Sequence, residues 1–124
     1  TYWLSCPMYT KKVGSLESTG LIKELDDQIQ KDKNLYEQWS NRQHSYETER
    51  TQEINENTKI HPYGGVGGAR ESIKCLHSHL ADQLATGKNV VGQIVEELVG
   101  GFNCQEPCID DQQLEKNKSW KVEW

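Results

Sequence analysis

Cysteine and histidine residues at four-residue intervals are the most chemically capable feature of this chain. Cys75 and His79 stand four positions apart, and so do Cys104 and Cys108. Residues four apart on a helix share a face, so a thiolate and an imidazole at this spacing can reach one ion together. Three sulfur ligands and one nitrogen fill a tetrahedral site of the kind that zinc prefers. The spacing therefore predicts a zinc site built from these four residues.

Other states of the cysteines stay open on the sequence alone. A cysteine within a helix often serves as a small buried apolar residue. Two cysteines separated by three residues can also close as a disulfide, and four cysteines together suit an iron–sulfur cluster. A metal site, buried thiols, and a disulfide or cluster are thus three alternatives for the same residues.

One face of the helix that carries Cys75 is predicted to gather three reactive groups. At 100° per residue, Cys75, His79 and Asp82 fall within a sector of about 60°. Such a face suits a metal triplet, or a cysteine nucleophile with a histidine base. His77 falls toward the core side of this helix, where a hydrogen-bonded packing role is expected rather than a ligand role.

A glycine-rich segment, residues 64–70, is predicted to lead directly into that helix. Accessible backbone N–H groups and the positive end of a helix together attract anions. The segment lacks the phosphate-loop and dinucleotide motifs, and the alternative is a loop whose glycines only allow close packing. The predicted site for a small phosphorylated ligand consists of backbone glycines and two basic side chains: Gly65, Gly67, Gly68, Arg70 and Lys74.

Five helices are predicted to position these residues. Apolar spacing, caps and breakers place them at residues 7–18, 21–29, 34–57, 71 or 72 to 86, and 89–98. Strict alternation predicts a short strand at residues 120–124, paired with an extended segment at residues 2–5. The predicted fold class is α+β, predominantly helical, with about five helices and a short terminal strand pair.

The 34–57 segment is highly charged and carries a single narrow apolar stripe. Leu35, Trp39, Tyr46 and Ile54 lie on one side of the predicted helix. One buried face and three solvent-exposed faces are expected for this helix. The solvent-exposed surface either contacts only water or serves as a docking surface for a protein partner.

Composition limits the classes of function. Leu, Ile, Val and Phe supply 25 of the 124 residues, which is close to the fraction below which a charged chain remains disordered. The hydrophobic core is therefore expected to be small, and a bound metal would add to the folding free energy. The chain has neither an apolar run long enough to cross a membrane nor a leader pattern, which favours a cytoplasmic protein. A formal net charge of −5 argues against nucleic acid as the partner.

Ordered short motifs carry a resemblance to a known family over residues 1 to about 109. They are Tyr2-Trp3-Leu4-Ser5-Cys6-Pro7, Ser15-Leu16-Glu17, His44-Ser45-Tyr46 with Arg50, Gly65-Val66-Gly67-Gly68, Lys74-Cys75-Leu76-His77-Ser78-His79, Gly87-Lys88-Asn89-Val90-Val91-Gly92 and Pro107-Cys108-Ile109. The string resembles the uncharacterised bacterial family called domain of unknown function 501 (DUF501). The family has no established activity.

The resemblance adds weight to particular residues. In similar proteins the cysteines that match Cys6, Cys75 and Cys108 recur, as does the histidine that matches His77, which brings Cys6 into the candidate ligand set. Asp82 stands where many relatives have histidine. The family also carries a further segment before the Tyr-Trp-Leu motif, so residues 1–124 are expected to be one domain, the C-terminal major part of a longer one.

Two functions follow from these patterns. The first is a zinc-supported binding or interaction module, whose cluster joins Cys6, Cys75, His79, Cys104 and Cys108 and whose 34–57 helix meets a partner. The second is a metal-dependent hydrolase or phosphoryl-handling enzyme that uses the glycine-rich loop as an anion site. A module closes all four metal positions with protein, whereas an enzyme leaves one position open for water.

Overall fold

In the computed structural model, the described residues form five α-helices, one short 3-10 helix (Val66–Gly68) and one small sheet. The structure describes residues 2–54, 64–69, 71–101, 104–110, 112 and 114–121. Within them lie α1 (Pro7–Ser18), α2 (Leu21–Lys31), α3 (Lys33–Glu53), α4 (Leu76–Thr86), α5 (Val90–Val99), β1 (Ile109–Asp110) and β2 (Glu115–Lys116). The predicted fold class, α+β with five helices and a short strand pair, is confirmed.

Capping residues explain where several helices begin. Pro7 opens α1, where its missing N–H and fixed φ suit a first helical turn. The Asp32 carboxylate accepts the N–H of Leu35 at 3.1 Å at the start of α3. The Asn89 side chain likewise accepts the N–H of Gly92 at 2.8 Å and caps α5.

The start of α4 differs from the prediction. This helix begins at Leu76, and Cys75 before it has an extended backbone. The N–H of Ile73 donates to the Asp26 carboxylate at 2.8 Å, and the N–H of Leu76 donates to the Glu17 carboxylate at 2.9 Å. Because these distant carboxylates hold the segment before Leu76, the predicted helix face that includes Cys75 is wrong.

The strand pair also lies elsewhere than the sequence suggested. Residues 2–5 are not in a strand, and neither are residues 120 and 121; residues 122–124 lie outside the described residues. The antiparallel pairs are Ile109 with Lys116 and Asp110 with Glu115. The predicted 34–57 helix ends at Glu53, and residues 55–57 also lie outside the described residues.

The apolar core lies where the helices converge. Its buried members are Val13, Leu25, Ile29, Trp39, Ile73, Leu76, Leu80, Val91, Val95 and Val99. Helices α4 and α5 approach each other closely at Gly92. A Cβ at this position would overlap the backbone carbonyl oxygen of His79, so the approach requires glycine. No helix among the described residues combines the length and apolar character that a bilayer crossing requires.

Candidate metal centre

Three ligand-type side chains from distant parts of the chain meet at the start of α4. Glu17 comes from the last turn of α1, Cys75 immediately precedes α4, and His77 lies in its first turn. Their ligand atoms all lie within 4.8 Å of one another. The Glu17 Oε1 is 3.1 Å from the His77 Nδ1, and the Cys75 Sγ is 3.9 Å from the same nitrogen.

The orientation of the His77 ring follows from its second nitrogen. Nε2 lies 3.0 Å from the backbone carbonyl oxygen of Thr10. A carbonyl oxygen only accepts hydrogen bonds, so Nε2 carries the hydrogen and donates it. In the neutral ring, the lone pair is therefore on Nδ1, which faces both Glu17 and Cys75.

This arrangement suits a cation at the Nδ1 side. A lone pair and a carboxylate oxygen 3.1 Å apart repel each other unless a proton or a metal ion lies between them. Ligand atoms around tetrahedral zinc stand about 3.3–3.7 Å apart, given the usual bond lengths. The two distances from Nδ1, 3.1 and 3.9 Å, bracket that spacing.

The contact with Thr10 resembles the support that metal-binding histidines usually have. A histidine ligand typically donates its other ring N–H to a carbonyl or carboxylate, which fixes the tautomer and the ring. Here the Thr10 carbonyl does this for His77, and the Glu17 Oε1 is itself fixed by the N–H of Leu76. Two of the three candidate ligands are thus held in place before any ion binds.

A nucleophilic relay is not built from the same three residues. Such a relay needs histidine to face the cysteine through one ring nitrogen and the carboxylate through the other. In this site both Cys75 and Glu17 face Nδ1, while Nε2 is bonded to Thr10. These three residues therefore do not form a cysteine–histidine–glutamate relay, and the shared approach of Cys75 and Glu17 to Nδ1 suits metal binding.

Of the predicted metal ligands, Cys75 alone belongs to this group. Cys6 precedes Glu17 by eleven residues, which is about 16 Å along a helix and too far for one metal site. Cys104 is exposed, and Cys108 precedes β1. In the described parts of the chain neither joins a group of ligand atoms, and the four cysteines form no disulfide.

His79 has a different place from the one expected. His79 is only 1% exposed, and its Nδ1 lies 3.2 Å from the Asn89 Oδ1. Because an amide oxygen only accepts hydrogen bonds, as this one does from the N–H of Gly92, the His79 Nδ1 must carry the hydrogen. Its Nε2 is buried with no hydrogen-bond partner in the described part of the chain. Burial is the main cause that lowers the pKa of His79 to about 4. The predicted pair of Cys75 and His79 is therefore replaced by Cys75 and His77.

Asp82 is also separated from Cys75, because it forms a buried ion pair. Its carboxylate is 0% exposed and accepts hydrogen bonds from Nε and Nη2 of Arg42, each at 2.7 Å. The hydrogen bonds with Asp82 are the main cause that raises the pKa of Arg42, against the opposing effect of burial. The Asn89 Nδ2 donates to the same carboxylate at 3.0 Å. The predicted triplet of Cys75, His79 and Asp82 is thus absent.

Three backbone N–H groups in the described part of the glycine-rich loop already donate hydrogen bonds within the protein. The Gly65 N–H donates to the Ala69 carbonyl at 2.7 Å, and the Val66 N–H donates to the Gln43 Oε1 at 2.9 Å. The Gly68 N–H donates to the Gly65 carbonyl at 3.0 Å. A Cβ at Gly65 would overlap the Gln43 amide, so glycine is needed for this close approach.

This arrangement does not assemble the anion site predicted at the loop. Residues 71–75 separate the loop from α4, so the loop does not open onto the helix. Gly67 and Lys74 are exposed, and Arg70 lies outside the described residues. The N–H of Leu76, at the start of α4, already donates to the Glu17 carboxylate.

Tyr46 and Arg50, which belong to the family-like motifs, support the loop instead. The Arg50 Nη2 donates to the Gly64 carbonyl at 2.7 Å. The guanidinium of Arg50 lies 5.9 Å from the Tyr46 ring centroid, and that of Arg42 lies 5.6 Å from it. These contacts join α3 to the glycine-rich loop.

Sequence reasoning missed Glu17 and Arg42. Glu17 lies 58 residues before Cys75, and only its place in a family-like motif pointed to it. Arg42 lies on a helix that the charge pattern marked as largely solvated. In both cases the partner is remote in sequence, so no local pattern could reveal the contact.

Comparison with known proteins gives one match. Residues 1–97 match the model of a family described as "Protein of unknown function (DUF501)", which confirms the resemblance that the motifs indicated. No curated protein and no solved structure was found to match.

Proposed function

Because the chain belongs to the DUF501 family, whose description assigns no reaction, we propose its function from the site formed by Glu17, Cys75 and His77. The proposal is that the protein is a binding module supported by a divalent metal ion, with zinc favoured by the ligands. One observation supports it above all. A single ring nitrogen of His77 faces both a carboxylate and a thiol, while its other nitrogen is tied to a backbone carbonyl.

Ligand chemistry favours zinc among the common ions. Thiolate and imidazole prefer borderline or soft metals, whereas calcium and magnesium prefer oxygen ligands throughout. One sulfur, one nitrogen and one oxygen suit three positions of a tetrahedral zinc ion. In the proposed module the fourth position is closed by a ligand from the partner, whereas in the enzyme alternative it holds water.

A metal in this place would join two separate parts of the fold. Glu17 lies at the end of α1, and Cys75 and His77 lie at the start of α4. Because the unfolded chain does not hold these residues together, binding free energy would add to folding free energy. The exposed charged face of α3 is the surface proposed for a partner of such a module.

Competition with a chromophoric chelator tests the metal site. We expect one equivalent of Zn²⁺ per chain, and a loss of affinity of at least about 100-fold in Cys75→Ala and in His77→Gln, since even outer-shell changes cost 10–100-fold. Glu17→Gln removes the charge but keeps an oxygen that can accept the N–H of Leu76. It should weaken binding without displacing the start of α4.

Two variants serve as controls for this experiment. His44 and Cys104 are exposed residues outside the site, so His44→Gln and Cys104→Ser should bind Zn²⁺ as the wild-type protein does. Equal affinity in Cys75→Ala and the wild type would refute the site.

Partial exposure of the ligands supports a second candidate function. The side chains of His77 and Glu17 are 27% and 26% exposed, so a metal between them could also hold a water molecule. A metal held by these residues would acidify such a water and would supply the chemistry of ester or phosphoester hydrolysis. Zinc-loaded protein would then hydrolyse p-nitrophenyl acetate or p-nitrophenyl phosphate faster than zinc-loaded Cys75→Ala does. Equal rates would leave the binding module as the function.

A further inference from the structure

A cleft of about 390 Å³ lies between α3 and the start of α5, apart from the candidate metal centre. Arg42, Ser45 and Glu49 line it from α3, and Lys88 and Asn89 line it from the turn before α5. Helix α3 and the turn before α5 are distant in sequence, and both contribute polar side chains to one concave surface.

Arg42 provides a fixed cation on the wall of this cleft. Its side chain is buried, and Asp82 holds one edge of the guanidinium through two hydrogen bonds of 2.7 Å. The Tyr46 ring lies 5.6 Å from the guanidinium carbon. A guanidinium held in this way presents its remaining donors in a fixed direction, which is the geometry that binds carboxylate or phosphate with two hydrogen bonds.

The second edge of Arg42 is held by a more exposed and more distant carboxylate. Nη1 and Nη2 donate to the two oxygens of Glu49 at 3.2 and 3.3 Å. The Glu49 side chain is 46% exposed, whereas Asp82 is fully buried. Because Glu49 is half-exposed and its hydrogen bonds to Arg42 are longer than those of Asp82, it is the more easily displaced of the two carboxylates. Its carboxylate occupies the position that an external oxyanion would take.

The rest of the cleft adds positive potential and hydrogen-bond donors. Lys88 is exposed, and no carboxylate in the described residues forms an ion pair with it. The first turn of α5, which Asn89 caps, carries no acidic residue of its own, and the positive end of this ten-residue helix lies beside the cleft. The Asp82 carboxylate, which is fully buried, lies near this end and accepts a hydrogen bond from Asn89. Asn41 and Ser45 add neutral donors to the wall.

We propose that this cleft binds a small oxyanion, a carboxylate or a phosphate, between Arg42 and Lys88, and that Glu49 is the internal carboxylate which the ligand displaces. Asp82 occupies only the Nε and Nη2 edge of Arg42 and leaves the other edge to Glu49. When Glu49 turns toward solvent, the incoming anion takes over its two hydrogen bonds and gains the charge of Lys88 in addition. This site is independent of the metal centre, because it shares no residue with it.

Nuclear magnetic resonance with ¹⁵N-labelled protein tests the proposal in two separate arms. The protein is titrated with inorganic phosphate in one arm and with succinate in the other, at constant ionic strength. Saturable shifts of the backbone amides of residues 87–93 are expected in at least one arm. A response to phosphate alone identifies the ligand class as phosphate, and a response to succinate alone identifies it as carboxylate. A response in both arms shows that the cleft accepts either class. No saturable shift at residues 87–93 in either arm would overturn the proposal.

Two variants with opposite expected effects make the test specific. Glu49→Gln removes the competing charge and should tighten binding about fivefold, whereas Lys88→Gln removes an attractive charge and should weaken it about fivefold. Lys74→Gln, also exposed but outside the cleft, is the matched control and should bind as the wild type does. Equal affinity in all three variants, or the same direction of change in Glu49→Gln and Lys88→Gln, would overturn the assignment of these residues.

Discussion

The buried imidazole of His79 is expected to make the protein sensitive to mild acid. Its pKa falls from an ordinary value of 6.5 to about 4 in the folded protein, chiefly because burial disfavours the charged ring. Between these two values the unfolded chain binds a proton that the folded chain does not, so stability rises with pH. The contribution is fully present above pH 6.5 and is lost as the pH falls toward 4.

The size of the effect follows from that pKa difference. One pKa unit corresponds to about 1.4 kcal/mol, so lowering the pH from 7 to 4.5 should cost about 2 kcal/mol through His79 alone. Urea unfolding at the two pH values, with a chelator present to remove the metal contribution, measures the change. Other groups also titrate in this range, so the comparison that matters is between variants.

Two substitutions isolate the contribution of His79. His79→Gln stays neutral at both pH values, and its free energy of unfolding should fall by about 2 kcal/mol less than that of the wild type between pH 7 and 4.5. His44→Gln, which alters an exposed histidine, should follow the wild type. Parallel pH dependence in the wild type and His79→Gln would refute the argument from burial.

Three further predictions concern the packing around α4 and α5. Asp82→Ala leaves Arg42 buried without its closest carboxylate, and the free energy of unfolding in urea should fall by about 3–5 kcal/mol; a loss below about 1 kcal/mol would contradict a buried pair. Gly92→Ala places a Cβ against the His79 carbonyl, so calorimetry should show a lower Tm through a loss of about 1–3 kcal/mol, and an unchanged Tm would mean that the helices are not this close. Asn89→Ala removes the cap of α5 and a partner of both Asp82 and His79, so chemical denaturation should show a loss of at least about 1–2 kcal/mol, whereas a neutral effect would argue against the network.

Helix positions could largely be predicted from the sequence because their signals are local. Pro7, the Asn89 cap and the apolar stripe of α2 each lie within the helix that they define. The start of α4 could not be predicted in the same way. It depends on Asp26 and Glu17, whose carboxylates accept N–H groups far along the chain.

The candidate site was predicted only in part for a related reason. Spacing identified Cys75, but it favoured His79 over His77 because the four-residue interval places Cys75 and His79 on one face of a helix. That holds only if Cys75 lies within the helix, which begins at Leu76. Asp82 is buried with hydrogen bonds from Arg42 and Asn89, and buried His79 has one hydrogen bond, from its Nδ1 to Asn89. Such compensation comes from α3 and α5, and periodicity within α4 carries no information about it.

X-ray absorption at the zinc edge of protein loaded with one equivalent of Zn²⁺ tests the central claim most directly. The site formed by Glu17, Cys75 and His77 predicts one sulfur neighbour at about 2.3 Å, with the remaining neighbours nitrogen and oxygen at about 2.0–2.2 Å. Cys75→Ala should lose the sulfur neighbour altogether. Two or more sulfur neighbours, or a sulfur neighbour that persists in Cys75→Ala, would contradict the proposed metal centre.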